Sequence, residues 1–370
     1  MSFYNEITRY NWEEIGEQIY SKTEEDVVKA LSKTVLDLSD FQSLISPTAE
    51  KYLEQMAQKS REVTQQRFGK CMQMYIPLYL SNSCTNHCVY CGFNHSNQFE
   101  RTILTEEEVR VEAQAIKKLG FEHILLVSGE DQKQCGSEYL GRMMDELKDD
   151  FALISLEAQP LDIDEYEMLI EKKLNTVYVY QETYCEANYK NYHPRGKKSN
   201  FRYRLETPDR LGKAGVHKIG LGCLLGLEDW RIDTFFTALH LQYLERTYWK
   251  SKYSISFPRL RPHVGAFQPR YETTERDLLQ LICAYRLLNP HVEISLSTRE
   301  RSFFRDNALQ LGPTSYSAGS KTNPGGYANK EESLEQFSVN DDRSVNEIAD
   351  MIHNHGYEVV WKDWDQFMQT

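Results

Sequence analysis

Three cysteines stand within eight residues, Cys84-Thr-Asn-His-Cys88-Val-Tyr-Cys91, while the other five (Cys71, Cys135, Cys185, Cys223 and Cys283) are scattered over the 370-residue chain. Eight cysteines at this density are too dilute for a disulfide scaffold. Two chemistries suit a CxxxCxxC loop. Three thiolates can cap three irons of a [4Fe-4S] cube, and where four cysteines would close the cube, three leave one iron open to an external ligand. The alternative is a structural zinc site, which wants four closed ligands and would need Cys71, His87 or His95 to complete it.

Other polar groups worth weighing come later in the chain. Ser128-Gly129-Glu130 and Tyr180-Gln181-Glu182-Thr183-Tyr184 each close an apolar run, and Arg204 lies in Tyr203-Arg204-Leu205-Glu206. Gly220-Leu-Gly222-Cys-Leu-Leu-Gly226 is glycine-rich, which permits close backbone approach. Ser295-Leu-Ser-Thr-Arg299-Glu300 precedes Ser315-Tyr-Ser317. An arginine with a nearby serine hydroxyl suits a carboxylate, offering a charged fork and one more donor. Against this stands the simpler reading that Arg299 pairs with a structural Glu or Asp, and that a Glu or Arg at a strand end is a solvated charge.

These groups need a frame. Candidate strands fall at 74–80, 123–128, 153–158, 176–181, 217–223, 253–257, 292–297 and 313–318, with helical character between most of them. Thr105 followed by three glutamates reads as an N-cap with an acidic first turn, and Thr207-Pro208 as another helix start. Eight β-then-α units predict an α/β fold, a (β/α)8 TIM-type barrel, with chemistry at the C-terminal ends of its strands. Pro77 inside the first strand and a weak eighth strand leave a partly open barrel as the variant. Residues 1–70 read as an N-terminal helical extension. Thr23 opens a run with Val27, Val28, Leu31, Val35 and Leu36 at near-helical spacing, and Ser46-Pro47 opens another with Tyr52, Leu53 and Met56 on one side. The barrel is expected over 71–330 and a short C-terminal extension over 331–370, with a helix from Val345, a strand over 357–361 and an aromatic end from Trp364 to Phe367.

The net charge is −12 at pH 7, which argues against a nucleic-acid partner. Mean hydropathy is −0.61, and no apolar run approaches the length of a membrane span. The polar, acidic start resembles neither a signal nor a transit peptide, so the expected location is cytoplasmic.

The cysteine loop, with Tyr90 just before its last cysteine, resembles that of the radical S-adenosylmethionine (SAM) superfamily. Longer strings are similar to its aromatic amino-acid lyase branch: Pro77-Leu-Tyr-Leu-Ser-Asn, Cys91-Gly-Phe, Tyr180 to Tyr184, Arg204-Leu-Glu-Thr-Pro-Asp-Arg210, Ser256-Phe-Pro-Arg-Leu-Arg261-Pro, Ser297-Thr-Arg-Glu300 and Val360-Trp-Lys-Asp-Trp364. The resemblance covers nearly the whole chain. It implies a lyase that reductively cleaves SAM to methionine and 5′-deoxyadenosine and breaks the Cα–Cβ bond of L-tyrosine. The products are p-cresol and 2-iminoacetate (dehydroglycine), the latter for the thiazole of thiamine. By the same resemblance Cys84, Cys88 and Cys91 bind the [4Fe-4S] cluster. Tyr90, Glu130, Gln181, Glu182, Arg204 and Gly222 hold SAM, with Ser128 standing where the branch carries a first glycine. Arg299 and Ser317 hold the tyrosine carboxylate. Implied partners are a thiazole synthase (ThiG) and a flavodoxin or ferredoxin reductant. A tryptophan lyase, the hydrogenase-maturing tyrosine lyase and, from another class, a zinc-binding module remain the alternatives. The hydrogenase-type enzyme needs a second cysteine-bound cluster in a C-terminal domain, whereas Cys283 is the last cysteine here.

Overall fold

The computed structural model describes residues 2–328 and 333–362. All eight expected strands form: β1 Cys71–Ser81, β2 His123–Ser128, β3 Leu153–Glu157, β4 Leu174–Tyr178, β5 Lys218–Gly222, β6 Lys252–Ser256, β7 Glu293–Leu296 and β8 Ser315–Ser317. Each pairs in parallel with the next, and β1 pairs with both β2 and β8, so the sheet closes into a (β/α)8 barrel. A ninth strand, β9 Glu358–Val360, lies parallel to the first residues of β1.

The two faces of β1 show how the barrel is built. Met72, Met74, Ile76, Leu78 and Leu80 are fully buried among the surrounding helices. Tyr75, Pro77 and Tyr79 alternate with them and face the lumen. Pro77 costs little here. Gln73 sends its N–H to the Thr314 carbonyl on the β8 side, and by alternation the Pro77 nitrogen faces that side too. Pairing there ends at Tyr75–Ser317, so no ladder donor is missed, and the Pro77 carbonyl accepts the Tyr327 hydroxyl at 2.7 Å.

The lumen is polar rather than packed with aliphatic layers. Glu157, Tyr178, Ser256, Ser295 and Ser317 all reach its central cavity. β5 makes room for these aromatics: a Cβ on Gly220 would lie 2.6 Å from Tyr178 Cε1.

Capping residues start the helices where expected. Thr105 and Glu108 form a reciprocal capping box on the helix Glu106–Lys118, as do Thr23 and Asp26 on Glu24–Ser32. Pro208 sits in the first turn of the helix Thr207–Ala214. The N-terminal helices do not roof the barrel. They lie on its outer flank, the helix Leu53–Phe68 packing against Glu275–Leu288 and the helices Phe3–Ile7 and Trp12–Tyr20 against Trp230–Thr247. Two of the expected apolar positions are corrected here. Val28 is 51% exposed because the helix presents Val27 and Ala30 inward, and Val35, past the helix end at Ser32, is 83% exposed. The expected end helix forms over Val345–Asn354. The aromatic end from Trp364 to Phe367 lies outside the described residues.

The chain after β8 crosses the mouth of the barrel. Glu112, fully buried, accepts the backbone N–H groups of Tyr327 and Ala328 at 2.8 Å each. Further on, Arg305 and Asp341 form an ion pair whose side chains are both fully buried, and Arg305 also donates to the Ser317 carbonyl. Removing one partner of such a pair leaves an uncompensated buried charge. Asp341→Asn is therefore expected to destabilise the protein by about 3–5 kcal/mol, read from chemical denaturation. Among the described residues no helix is long and apolar enough to cross a membrane.

Candidate active site

The cysteines occupy the long loop between β1 and the helix Glu106–Lys118. Arg101 ties this loop together, donating to the carbonyls of Asn82, Phe93 and Asn94 at 2.8 Å each. Asn94 donates to the Cys88 carbonyl at 2.9 Å. Cys84, Cys88 and Cys91 all open onto the cavity at the C-terminal mouth of the barrel. Burial pushes the Cys84 thiol up to about 11 and also raises Cys88 and Cys91. Ligation would thus displace protons from them. Among the described residues no three His, Cys, Asp or Glu side chains gather as around one ion.

Beside the thiols lies a ring of charge. Glu130 accepts from Arg204 Nη1 at 2.8 Å and from Asn86 Nδ2 at 2.7 Å. Lys198 Nζ donates to Glu182 at 2.7 Å, and Arg204 Nε to the Tyr180 carbonyl at 2.6 Å. Burial acts to raise the Glu130 carboxyl, but Arg204 and Lys198 outweigh it and hold it below its ordinary value. Glu182 adopts a left-handed φ of 70°, which costs a non-glycine residue energy. Its carbonyl accepts the Leu224 N–H at 2.8 Å. Tyr90 is fixed by a 2.7 Å hydrogen bond to His193 Nε2.

Four of the six residues expected around SAM, Tyr90, Glu130, Glu182 and Arg204, thus meet the cysteines in one cavity. Two do not. Gln181 is buried off the cavity wall, with neither amide atom partnered. Gly222 also lies off the wall, and its lack of a side chain spares Tyr180, whose Cδ1 would be 2.9 Å from a Cβ there. Lys198 and Asn86 belong to the ring and were not expected. Nothing in Gly196-Lys197-Lys198 distinguishes a buried lysine from its exposed neighbour.

At the opposite wall, Ser317 Oγ accepts the Thr298 N–H at 3.1 Å, and Arg299 sits with Cζ 3.3 Å from the Phe337 ring centre. Arg299 has no carboxylate partner among the described residues, because Glu300 takes Arg259 and Arg261 instead. The reading of Arg299 as a structural ion pair therefore fails. Arg261 Nε and Ser320 Oγ, also on this cavity, are buried and unpartnered, which suits a polar ligand.

Glu157, the last residue of β3, was also missed, though a charge closing a strand is the signal that singled out Glu130. Burial pushes its carboxyl up to about 7, with Arg299 opposing. A carboxyl raised on folding binds its proton more tightly in the folded state, so stability falls as pH rises from the unfolded value near 4.3 through 7. Glu157→Gln should match the parent protein in thermal melts near pH 4 and exceed it at pH 8 by about 3 kcal/mol.

A closed eight-stranded parallel barrel with three loop cysteines beside a buried charge ring at its C-terminal mouth defines a radical SAM enzyme. Residues 78–239 match the family model of the Radical SAM superfamily, and residues 256–358 that of the Biotin and Thiamin Synthesis associated domain. The chain is 48% identical to 2-iminoacetate synthase of Escherichia coli over 99% of its own length and 98% of that protein's, and 46% identical to the Salmonella typhimurium enzyme over the same shares. It belongs to the 2-iminoacetate synthase family. Among solved structures it resembles HydG, a maturase of the [FeFe]-hydrogenase, with a TM-score of 0.91 at 29% identity over 96% of this chain and 83% of that one. HydG from Carboxydothermus hydrogenoformans gives 0.84 at 30% identity, over 97% of this chain and 82% of that one.

Proposed function

We propose that the protein cleaves the Cα–Cβ bond of L-tyrosine to 2-iminoacetate and p-cresol, and that the cavity between the cysteine loop and Arg299 is where it does so. The observation that carries this reading is a single cavity with three thiols and a charge ring at one wall and an unpaired arginine beside a serine at the other. When bound, the [4Fe-4S] cluster and SAM supply a 5′-deoxyadenosyl radical.

The chain's own residues bind, orient and exclude. Cys84, Cys88 and Cys91 hold iron. Glu130 and Arg204, paired with each other at 2.8 Å, exchange that contact for the ammonium and carboxylate of the methionine part of SAM. Lys198 keeps Glu182 in place across the ring, and Tyr90 forms part of the wall. Arg299 and Ser317 take the tyrosine carboxylate. The segment around Gln336 and Phe337 closes the cavity from above and keeps water from a reactive intermediate.

An anaerobic assay of the reconstituted protein with SAM, a reductant and tyrosine should yield 5′-deoxyadenosine and p-cresol together. 5′-Deoxyadenosine without p-cresol would move the substrate to another amino acid. We further propose that the fragile imine passes to a thiazole synthase (ThiG) and that a flavodoxin or ferredoxin supplies the electron. A pull-down at micromolar concentrations should recover the synthase.

A further inference from the structure

The charged groups of the cavity pair off almost completely. Glu130 is matched with Arg204, Glu182 with Lys198, and Glu300 with Arg259 and Arg261. Two remain without a hydrogen bond or ion pair among the described residues, the cation Arg299 and the carboxyl Glu157. They approach the lumen from opposite walls, since β3 and β7 lie four strands apart in a closed ring of eight. They still sense each other, because of all the charges in the cavity Arg299 acts on Glu157 most strongly.

We infer that Glu157 receives the α-ammonium group of the substrate, so that Arg299 and Glu157 together read the zwitterion of an amino acid. The inference rests on the reading of tyrosine as the substrate. An isolated carboxyl inside a protein is costly, and it persists where a ligand completes it. The cavity already has neutral partners for a phenol, such as Tyr75, whose hydroxyl lies 3.0 Å from Ser295 Oγ. Among the described residues, one free group on it can take a cation. A tyrosine with its carboxylate on Arg299 and Ser317 carries its ammonium one bond from Cα, into the space between the two charges. The clamp would hold Cα, one end of the bond that breaks, on both sides. It would also favour an α-amino acid over the corresponding keto acid or phenol.

The test measures binding without turnover. Cluster-loaded enzyme with SAM and no reductant is titrated calorimetrically with three probes: L-tyrosine, tyramine, which lacks the carboxylate, and 3-(4-hydroxyphenyl)propanoate, which lacks the ammonium. Glu157→Gln should weaken tyrosine and tyramine by about tenfold to a hundredfold. It should leave the propanoate unchanged or bind it tighter, a pattern that a merely structural role would not give. Equal weakening of all three probes, or an unchanged affinity for tyrosine, would overturn the clamp. Glu157→Asp provides a second variant, expected to keep the preference for tyrosine over the propanoate at lower affinity. Tyrosine failing to bind the parent enzyme at millimolar concentration would overturn the substrate reading and the clamp with it. Tyrosine binding the parent and Glu157→Gln alike would overturn the clamp alone.

Discussion

Cys88→Ala is expected to lose 5′-deoxyadenosine formation down to background, with the protein still folded. The loss should exceed the roughly 100-fold that follows when a residue merely supporting a metal ligand is changed. Cys88 is 6% exposed, yet it lies in a loop outside the main core between barrel and helices. That loop is held by Arg101 and by Asn86, whose side-chain oxygen accepts the Lys198 N–H at 2.9 Å. Deleting one thiol leaves those ties intact, so circular dichroism and the melting profile should change little. Iron content and the visible absorption of the reconstituted protein should fall together with product. Retained 5′-deoxyadenosine would remove Cys88 from the cluster.

Arg299→Ala should act on the other substrate. A buried charge-assisted contact between arginine and a carboxylate is worth about 2–4 kcal/mol, so KM for tyrosine should rise roughly 30- to 1000-fold. Lysine restores the charge but not the planar fork, and Arg299→Lys should recover only part of the loss. SAM binding, measured without tyrosine, should be unaffected in both variants. A raised KM for SAM with an unchanged KM for tyrosine would place Arg299 in the SAM site instead.

The barrel was legible because parallel strands covered on both faces read as short apolar runs bounded by helix caps. Even β8, only three residues long, stands within its expected segment because Ser315 and Tyr316 pair with both flanking strands. Helix starts were legible from capping chemistry at Thr23, Thr105 and Pro208. Outward helix positions were less so. Val28 is as apolar as Val27, and only the helix's orientation decides which is covered. The charged positions sort by the same logic. Glu130 and Arg299 lie just past the ends of β2 and β7 and line the mouth, where strand ends single out candidate residues. Lys198 enters from a polar loop whose path depends on Asn86, a contact between residues 112 positions apart. Gln181, past the end of β4, is buried off the wall, and the Tyr180 ring stands against Gly222.

Gln336 and Phe337 are adjacent in the chain, and between them they span the active site. Gln336 accepts the Tyr79 hydroxyl at 2.8 Å and reaches Cys91 Sγ at 3.9 Å, while the Phe337 ring covers Arg299. The backbone carbonyl of Gln336 also accepts the Gly92 N–H at 3.2 Å. One peptide bond thus links the cysteine loop to the arginine on the opposite wall, so a change at either end is expected to be felt at the other. If Cys91 ligates iron as proposed, tyrosine is expected to bind the cluster-free protein more weakly than the loaded one, which titration of both forms would check.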